Sequence, residues 1–356
     1  MARYFLDLPD EKTSRVWDPH AGPHPARADT RYFGGVFRAM EKALLDPDLD
    51  IHLTWSSERL PSYGGRVVAV VLRDETGQVP RYSGRVLAVF KCYGRRPELG
   101  AGPLRNPTAT GVLELAQYGV RWLRWLPGGF ARLRLVAGRR VRGKPAPAPV
   151  HTIPPGTYNQ LELPMVAVDE RETDLFFAGS VDHRPSLRRL VSPKTRSRRE
   201  MLAAARRLGR HRPDLCLDLR VTSGFAASAA ASPEVYSRAL MNARVCLAPR
   251  GTSVETFRVF EALRAGCVVV AERLPKHSFY EGAPILTVDR WRDLERTLEP
   301  VLDDPRELRR RHEASRAWWT ERCSEEAVGR FVADRLNSLA RGRRGYAGPV
   351  SPSQRR

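Results

Sequence analysis

Residues 244–271, Arg-Val-Cys-Leu-Ala-Pro-Arg-Gly-Thr-Ser-Val-Glu-Thr-Phe-Arg-Val-Phe-Glu-Ala-Leu-Arg-Ala-Gly-Cys-Val-Val-Val-Ala, leave the chain few folds to choose from. An apolar run of strand length, Val245–Ala248, enters a Pro-Arg-Gly turn. The spacing then predicts a helix over about Val254–Ala265, stopped by Gly266 before a second strand at Cys267–Val270. Strand, helix and strand in so short a span make one crossover unit of a parallel sheet. In open sheets of this kind ligands bind beyond the carboxyl ends of the strands, where a helix N-terminus offers free N–H groups and partial positive charge. Arg250, Gly251, Arg258 and Glu261 cluster at or near that turn. Two arginines there suit a diphosphate, and a carboxylate deeper in the helix suits a ribose diol. Thr252 and Glu255 have the T-x-x-E spacing of a capping box, which makes Glu255 structural on this reading. The plain alternative for Arg258 and Glu261 is a surface ion pair, worth about 0–1 kcal/mol.

The remaining chain divides in two. Apolar spacing predicts a helix at Arg31–Leu45, and strand-length runs follow at Ile51–Trp55, Val67–Leu72 and Val86–Phe90. A helical stretch near Val112–Leu126 meets Pro127-Gly128-Gly129. From Arg121 to Lys144 there are eight basic residues and no acidic one, interleaved with Trp122, Trp125 and Phe130. Such a segment fits a membrane interface, or equally a helix packed on its own domain with arginines reaching to water. A proline-rich stretch at 143–156 precedes a new α/β pattern, opened by the buried strand Leu175–Ser180. Ser232-Pro233-Glu234 and Asp304-Pro305 read as helix starts, the second leading a long helical pattern to about Leu336. The reading is α/β: two facing doubly wound domains with a cleft between them and a long C-terminal helix. The expected boundaries are 1–165, 166–340 and a disordered basic tail at 341–356.

Charge narrows the partners. The net charge is +20, and only six of the 60 basic residues are lysine. Anionic partners follow: phosphate groups, acidic glycans, nucleic acid or an anionic membrane surface. Nucleic acid is disfavoured by the lack of a zinc finger, RRM-type motif or clear helix-turn-helix. The five cysteines show no C-x-x-C or paired spacing, so Cys246 and Cys267 are expected to be small buried hydrophobes in a reducing cytosol. No signal peptide and no run of 18 apolar residues is present, which predicts a soluble or peripherally attached protein at the inner face of a membrane. Asp46-Pro47-Asp48 and Asp48-Leu49-Asp50 spell Asp-x-Asp, yet Asp and Pro between a helix and a strand are ordinary turn formers.

The order of motifs in 244–271 is similar to the C-terminal core of exostosin-type glycosyltransferases: aromatic-Cys-Leu-x-Pro-Arg-Gly, then Arg, Glu/Asp-Ala-Leu, and Ala-Gly-Cys-x-Pro-Val. Leu175–Ser180, with Arg184 nearby, resembles the Phe-Phe-x-Gly strand of that family. The likeness covers about residues 174–300 and departs from the pattern at Val269, where the family often has Pro. It implies two Rossmann-like domains (GT-B), an inverting transfer from a nucleotide-diphosphate sugar, and no obligatory metal or other cofactor. Acceptors in reach are a glycan, a lipid-linked intermediate or a small molecule. Arg250 and Arg258 would meet the diphosphate and Glu261 the ribose, with Ser180, Arg184 and Gly251 at the donor site. No family motif marks the catalytic base; Asp7 and His52, close to expected strand ends, are the candidates, with His20, His24 and Glu58 behind them. A non-catalytic nucleotide-sugar-binding module and a nucleic-acid-binding protein are the alternatives.

Overall fold

The computed structural model describes residues 2–9, 11, 13–25, 27–72, 75, 77–97, 109–143, 147–181, 192–222 and 232–346. Two sheets organise them. The first contains β1 (Arg3–Asp7), β2 (Arg15–Val16), β3 (Asp50–Thr54), β4 (Gly64–Val71), β5 (Val86–Lys91) and β6 (Val150–Thr152), in the order β2-β1-β3-β4-β5-β6. All neighbours are parallel except β1 and β2. Helix α1 (Asp29–Ala43) is amphipathic and buries Phe33, Val36, Phe37 and Met40 against Tyr4, Leu6, Ile51 and Leu53 on one face of this sheet. Because successive strand residues alternate faces, Ala69, Val71 and Val89 build a smaller cluster on the other side.

Helix α2 (Ala109–Val141) runs on through the Pro127-Gly128-Gly129 that the helical stretch near Val112–Leu126 meets in the sequence. Contacts on both sides of the proline hold the line of the helix. Trp125 Nε1 donates to Arg95 O at 2.9 Å, and Arg132 donates to Ser83 Oγ and Ala148 O at 3.1 Å. Gly128 permits the approach, since a Cβ there would stand 2.7 Å from the Val79 carbonyl oxygen. Pro127 itself is exposed, so the carbonyl it leaves unpaired lies where water can reach it.

The second sheet is wholly parallel: β7 (Thr173–Ser180), β8 (Leu217–Thr222), β9 (Ala243–Ala248), β10 (Val268–Glu272) and β11 (Ile285–Val288), in the order β11-β10-β9-β7-β8. Its helices are α3 (Pro193–His211), α4 (Pro233–Met241), α5 (Phe257–Arg264), α6 (Leu294–Leu302) and α7 (Pro305–Trp318). Three of them start with a capping side chain and a proline: Ser192, Ser232 and Asp304 accept from Thr195, Val235 and Arg306 N–H. Helix α5 ends as its glycine predicts. Gly266 has φ +74°, its N–H meets Leu263 O at 3.0 Å, and Cys267 N–H meets Ala262 O at 2.9 Å. Those two bonds define a Schellman stop. Arg171, 1% exposed, ties the start of this lobe to the same corner by donating to Ala243 O at 2.7 Å and Ala265 O at 2.6 Å.

The C-terminal helical pattern is interrupted. A π turn at Trp319–Cys323 separates α7 from α8 (Glu325–Tyr346), with both Trp318 and Trp319 buried. The reversal sends α8 back onto α1 rather than along the second lobe. Gly329 lies so close to α1 that a Cβ would stand 2.6 Å from Val36 O. Asn337 caps the end of α1, accepting from Leu45 N–H and donating to Ala43 O, both at 2.8 Å. The segment expected within the second domain thus packs on the first, and helix continues past Ala340, where a disordered tail was expected. Residues 347–356 lie outside the described residues. One hydrophobic cluster runs from the first sheet through α1 and α8 into α5, β9 and β10, joining the lobes. The fold is two facing Rossmann-like α/β domains.

Candidate functional site

The order of the second sheet reverses between β7 and β9, and that switch point is where an open α/β sheet binds its ligand. The two segments singled out from sequence, Leu175–Ser180 and Pro249-Arg250-Gly251, leave their strands side by side there.

Four cations converge on this corner. Arg258, on the first turn of α5, lies over the Phe177 ring at 4.8 Å and donates to the Ala178 carbonyl. Arg198, on α3, is 6% exposed and donates from Nη1 to Ser180 O at 2.5 Å and from Nε to Arg250 O at 3.1 Å. Gly179 makes room for the Arg258 guanidinium. Its φ is +159°, and a Cβ there would stand 2.5 Å from Arg258 Nη2 and 3.6 Å from Arg198 Nη1. Lys194 lies in the first turn of α3, which carries no acidic residue. Burial, then the neighbouring Arg258, pushes Arg198 down to about 9; burial, then Arg198, pushes Lys194 down to about 8, with Glu75 opposing and Arg258 adding. Cations at a helix N-terminus also oppose the helix dipole. An anion held among them would relieve every one of these costs.

Arg250 is 5% exposed and already has an anion. Its Nη1 meets Glu114 Oε1 on α2 at 2.5 Å, while Nη2 reaches Gln117 Oε1 at 3.3 Å. Its backbone N–H donates to Glu272 Oε2 at 3.0 Å. The Nε atoms of Arg250 and Arg258 are buried without a hydrogen-bond partner. Gly251 needs no special backbone, and a methyl group there would only touch Thr256 at 3.5 Å.

Glu261 is buried, and its oxygens are taken up by the chain. Oε1 accepts from Tyr158 N–H at 2.9 Å and Asn159 N–H at 2.7 Å, and Oε2 accepts from the Tyr236 hydroxyl at 2.7 Å. It therefore anchors the segment that joins the lobes. Glu255 is not a cap. Helix α5 starts four residues later than a Thr252–Glu255 box requires, with Thr256 at its N-cap. The Glu255 carboxylate turns inward, accepting from Tyr280 OH at 3.1 Å and lying 3.5 Å from His277 Nε2. Glu255, His277 and Ser253 line a narrow crevice against Tyr93, Arg96 and Arg121 of the first lobe. Tyr93 is the non-glycine residue with positive φ (59°) among the described residues, and it sits at this crevice.

Asp7 and His52 are brought together with each other. His52 Nδ1 lies 3.0 Å from Asp7 Oδ2, His52 Nε2 lies 2.9 Å from Ser62 Oγ, and Ser14 Oγ donates to Asp7 Oδ1 at 2.6 Å. Strand alternation puts both on the sheet face opposite α1. His20 pairs with Glu41 at 2.7 Å. The Asp-x-Asp carboxylates are engaged at the surface, Asp48 with Arg66 and Asp50 with Arg3 at 2.7 Å. Arg184 lies outside the described residues. Lys194, Arg198 and Glu114 were not singled out from the sequence. The first two were marked only as cations at the start of a helix that follows a glycine-ended strand, and Glu114 only as the one acid of a basic helix.

Residues 187–328 match a family model described as glycosyl transferase-like. The second lobe, with the cation corner, falls largely within that match. Among solved structures the chain is similar to a sucrose-phosphate synthase from Thermosynechococcus elongatus, with a TM-score of 0.49 and 14% identity over 92% of this chain and 97% of that one. It is also similar to a chain of the GtfA/B complex, with a TM-score of 0.41 and 11% identity over 78% of this chain. It spans 58% of the length of that GtfA/B chain. A comparison with curated protein sequences gave no match.

Proposed function

We propose that the protein is a glycosyltransferase that takes its sugar from a nucleotide-diphosphate donor bound at the β7–β9 switch point. The observation that carries this reading is the placement of Lys194, Arg198 and Arg258 at one corner, where burial first and neighbouring guanidinium groups second lower Arg198 and Lys194, with Arg250 beginning the turn beside them. A diphosphate leaving group gathers negative charge as the glycosidic bond breaks. Pre-placed guanidinium groups and helix N–H dipoles stabilise that charge without reorganising. Residues of the chain fill the role that a divalent cation fills in other transferases. Ser180, whose carbonyl accepts from Arg198, borders the corner, and Glu261 would exchange one of its chain donors for a ribose hydroxyl. The motif order through Pro249-Arg250-Gly251 and Ala265-Gly266-Cys267 supports an exostosin-like subtype and an inverting outcome. The acceptor is a glycan, a lipid-linked intermediate or a small molecule that enters from the first lobe. There the Asp7–His52 pair is the candidate base.

Thermal unfolding against a panel of nucleoside diphosphates tests the reading. A bound ligand at 100 times its Kd adds about 2.7 kcal/mol of stability. One base should raise Tm well above the others, and Arg258→Gln should abolish the shift while leaving the ligand-free Tm within a few degrees. No shift with any nucleoside diphosphate or its sugar sinks the proposal.

A further inference from the structure

We propose that the outward face of α2 seats this protein on an anionic lipid surface. The helix presents an apolar stripe outward, while several of its polar side chains reach into the protein. Turned inward are Glu114 on Arg250, Arg121 on the Thr252 carbonyl, Arg132 on Ser83 and Ala148, and Arg139 on Gly84 O at 3.2 Å. Turned outward are Val112 (63% exposed), Leu123 (68%), Phe130 (56%) and Val141 (87%). These four recur after 11, 18 and 29 residues. At about 3.6 residues per turn those are nearly whole turns, so the four form one straight stripe. Leu115 and Leu133, also exposed, widen it.

Arg124, Arg134, Arg140 and Arg142 are exposed beside this stripe, and the single acid of the helix, Glu114, is on the buried side. An apolar band flanked by cations matches acyl chains below anionic headgroups. Other occupants satisfy only half of it. Nucleic acid phosphates would pair the arginines and leave the aliphatic stripe in water. A second copy would cover the stripe but bring two arginine borders together in a chain of net charge +20. The attachment lies flat, because no helix among the described residues is long and apolar enough to cross a membrane. The inference stands independently of the donor reading, since none of the stripe residues belongs to the cation corner.

Co-sedimentation of the full chain with vesicles at low salt tests it. Vesicles of equal parts phosphatidylcholine and phosphatidylglycerol should pellet the protein, and pure phosphatidylcholine should not. The Leu123→Glu/Phe130→Glu double variant should lose at least tenfold in partitioning, with Tm and any nucleotide-induced shift unchanged. Replacing the four flanking arginines with Gln should lower both partitioning and its salt sensitivity. Three results would overturn the proposal. They are no partitioning of the wild type, undiminished partitioning of the double Glu variant, or a wild-type dimer in sedimentation equilibrium that the same variant converts to monomer.

Discussion

Glu114 and Arg250 meet at 2.5 Å across 136 positions of sequence, joining the long helix of the first lobe to the Pro-Arg-Gly turn of the second. The carboxylate stands where the proposed reading puts a donor phosphate. Glu114 is thus an internal competitor for Arg250, and it also supplies the anion that makes a buried guanidinium tolerable.

Removing that competitor should strengthen donor binding. Glu114→Gln keeps the shape and a hydrogen-bonding oxygen while deleting the charge. Isothermal titration should show nucleoside diphosphate affinity rising by about tenfold, equivalent to about 1.4 kcal/mol. Unchanged affinity would mean that Arg250 does not meet the phosphates.

Binding should also move protons. Lys194 is held at about 8 and Arg198 at about 9, both below their ordinary values. An anion restores Lys194 upward, while the Arg198 guanidinium stays charged, so binding near pH 8 and above takes up a proton and affinity falls as pH rises through that window. Titration at pH 8.5 in buffers of different ionisation enthalpy reads the uptake directly. Lys194→Met should remove most of it.

Acid should weaken the fold through two histidines. Burial, then nearby arginines, pushes His151 down to about 4; burial, then Arg171, pushes His312 to about 4 as well. Above about pH 6.5 both are neutral whether folded or not, and neither affects stability. Below it the unfolded chain binds protons that the folded chain refuses, so stability falls from pH 6.5 until pH 4 is passed. Urea midpoints measured across this range should fall with pH, and His151→Phe should flatten part of the slope.

The Schellman stop is sensitive to small substitutions. Gly266→Ala places a Cβ in the left-handed region, at about 1–2 kcal/mol. The same Cβ would stand 2.6 Å from the His312 ring. Denaturant unfolding should show a loss of at least about 2 kcal/mol, and the loss should shrink when His312 is also made Ala.

Arg171 is a structural counterpart to the site arginines. Its donors satisfy the carbonyls of Val166, Ala243 and Ala265 inside the protein. Arg171→Met should lower stability by about 1–3 kcal/mol for each carbonyl left unmet. A change in Tm of less than a few degrees would contradict this accounting.

How much of this was legible in the sequence follows from the range of the forces involved. Local signals carried the strands β3, β4, β5 and β9, the Ser232 and Asp304 caps, and the Gly266 stop, because each is written within four or five neighbouring residues. The T-x-x-E reading of Glu255 failed for the opposite reason. Tyr280 and His277, from the loop after β10, draw the carboxylate inward, and neither is visible in the local spacing. Helix α2 runs through its Pro-Gly-Gly because distant contacts with Val79, Ser83 and Arg95 hold both halves. Arg250 and Arg258 were found from their motif. Arg198 was missed because only the folding of α3 against β7 brings it to Ser180.

The return of α8 to α1 also fixes how the two lobes can move. The polypeptide passes between them twice, once between β6 and β7 and once at the π turn of Trp319–Cys323. Both crossings limit any relative motion of the lobes, and Tyr32 packs against Trp319 at the second of them.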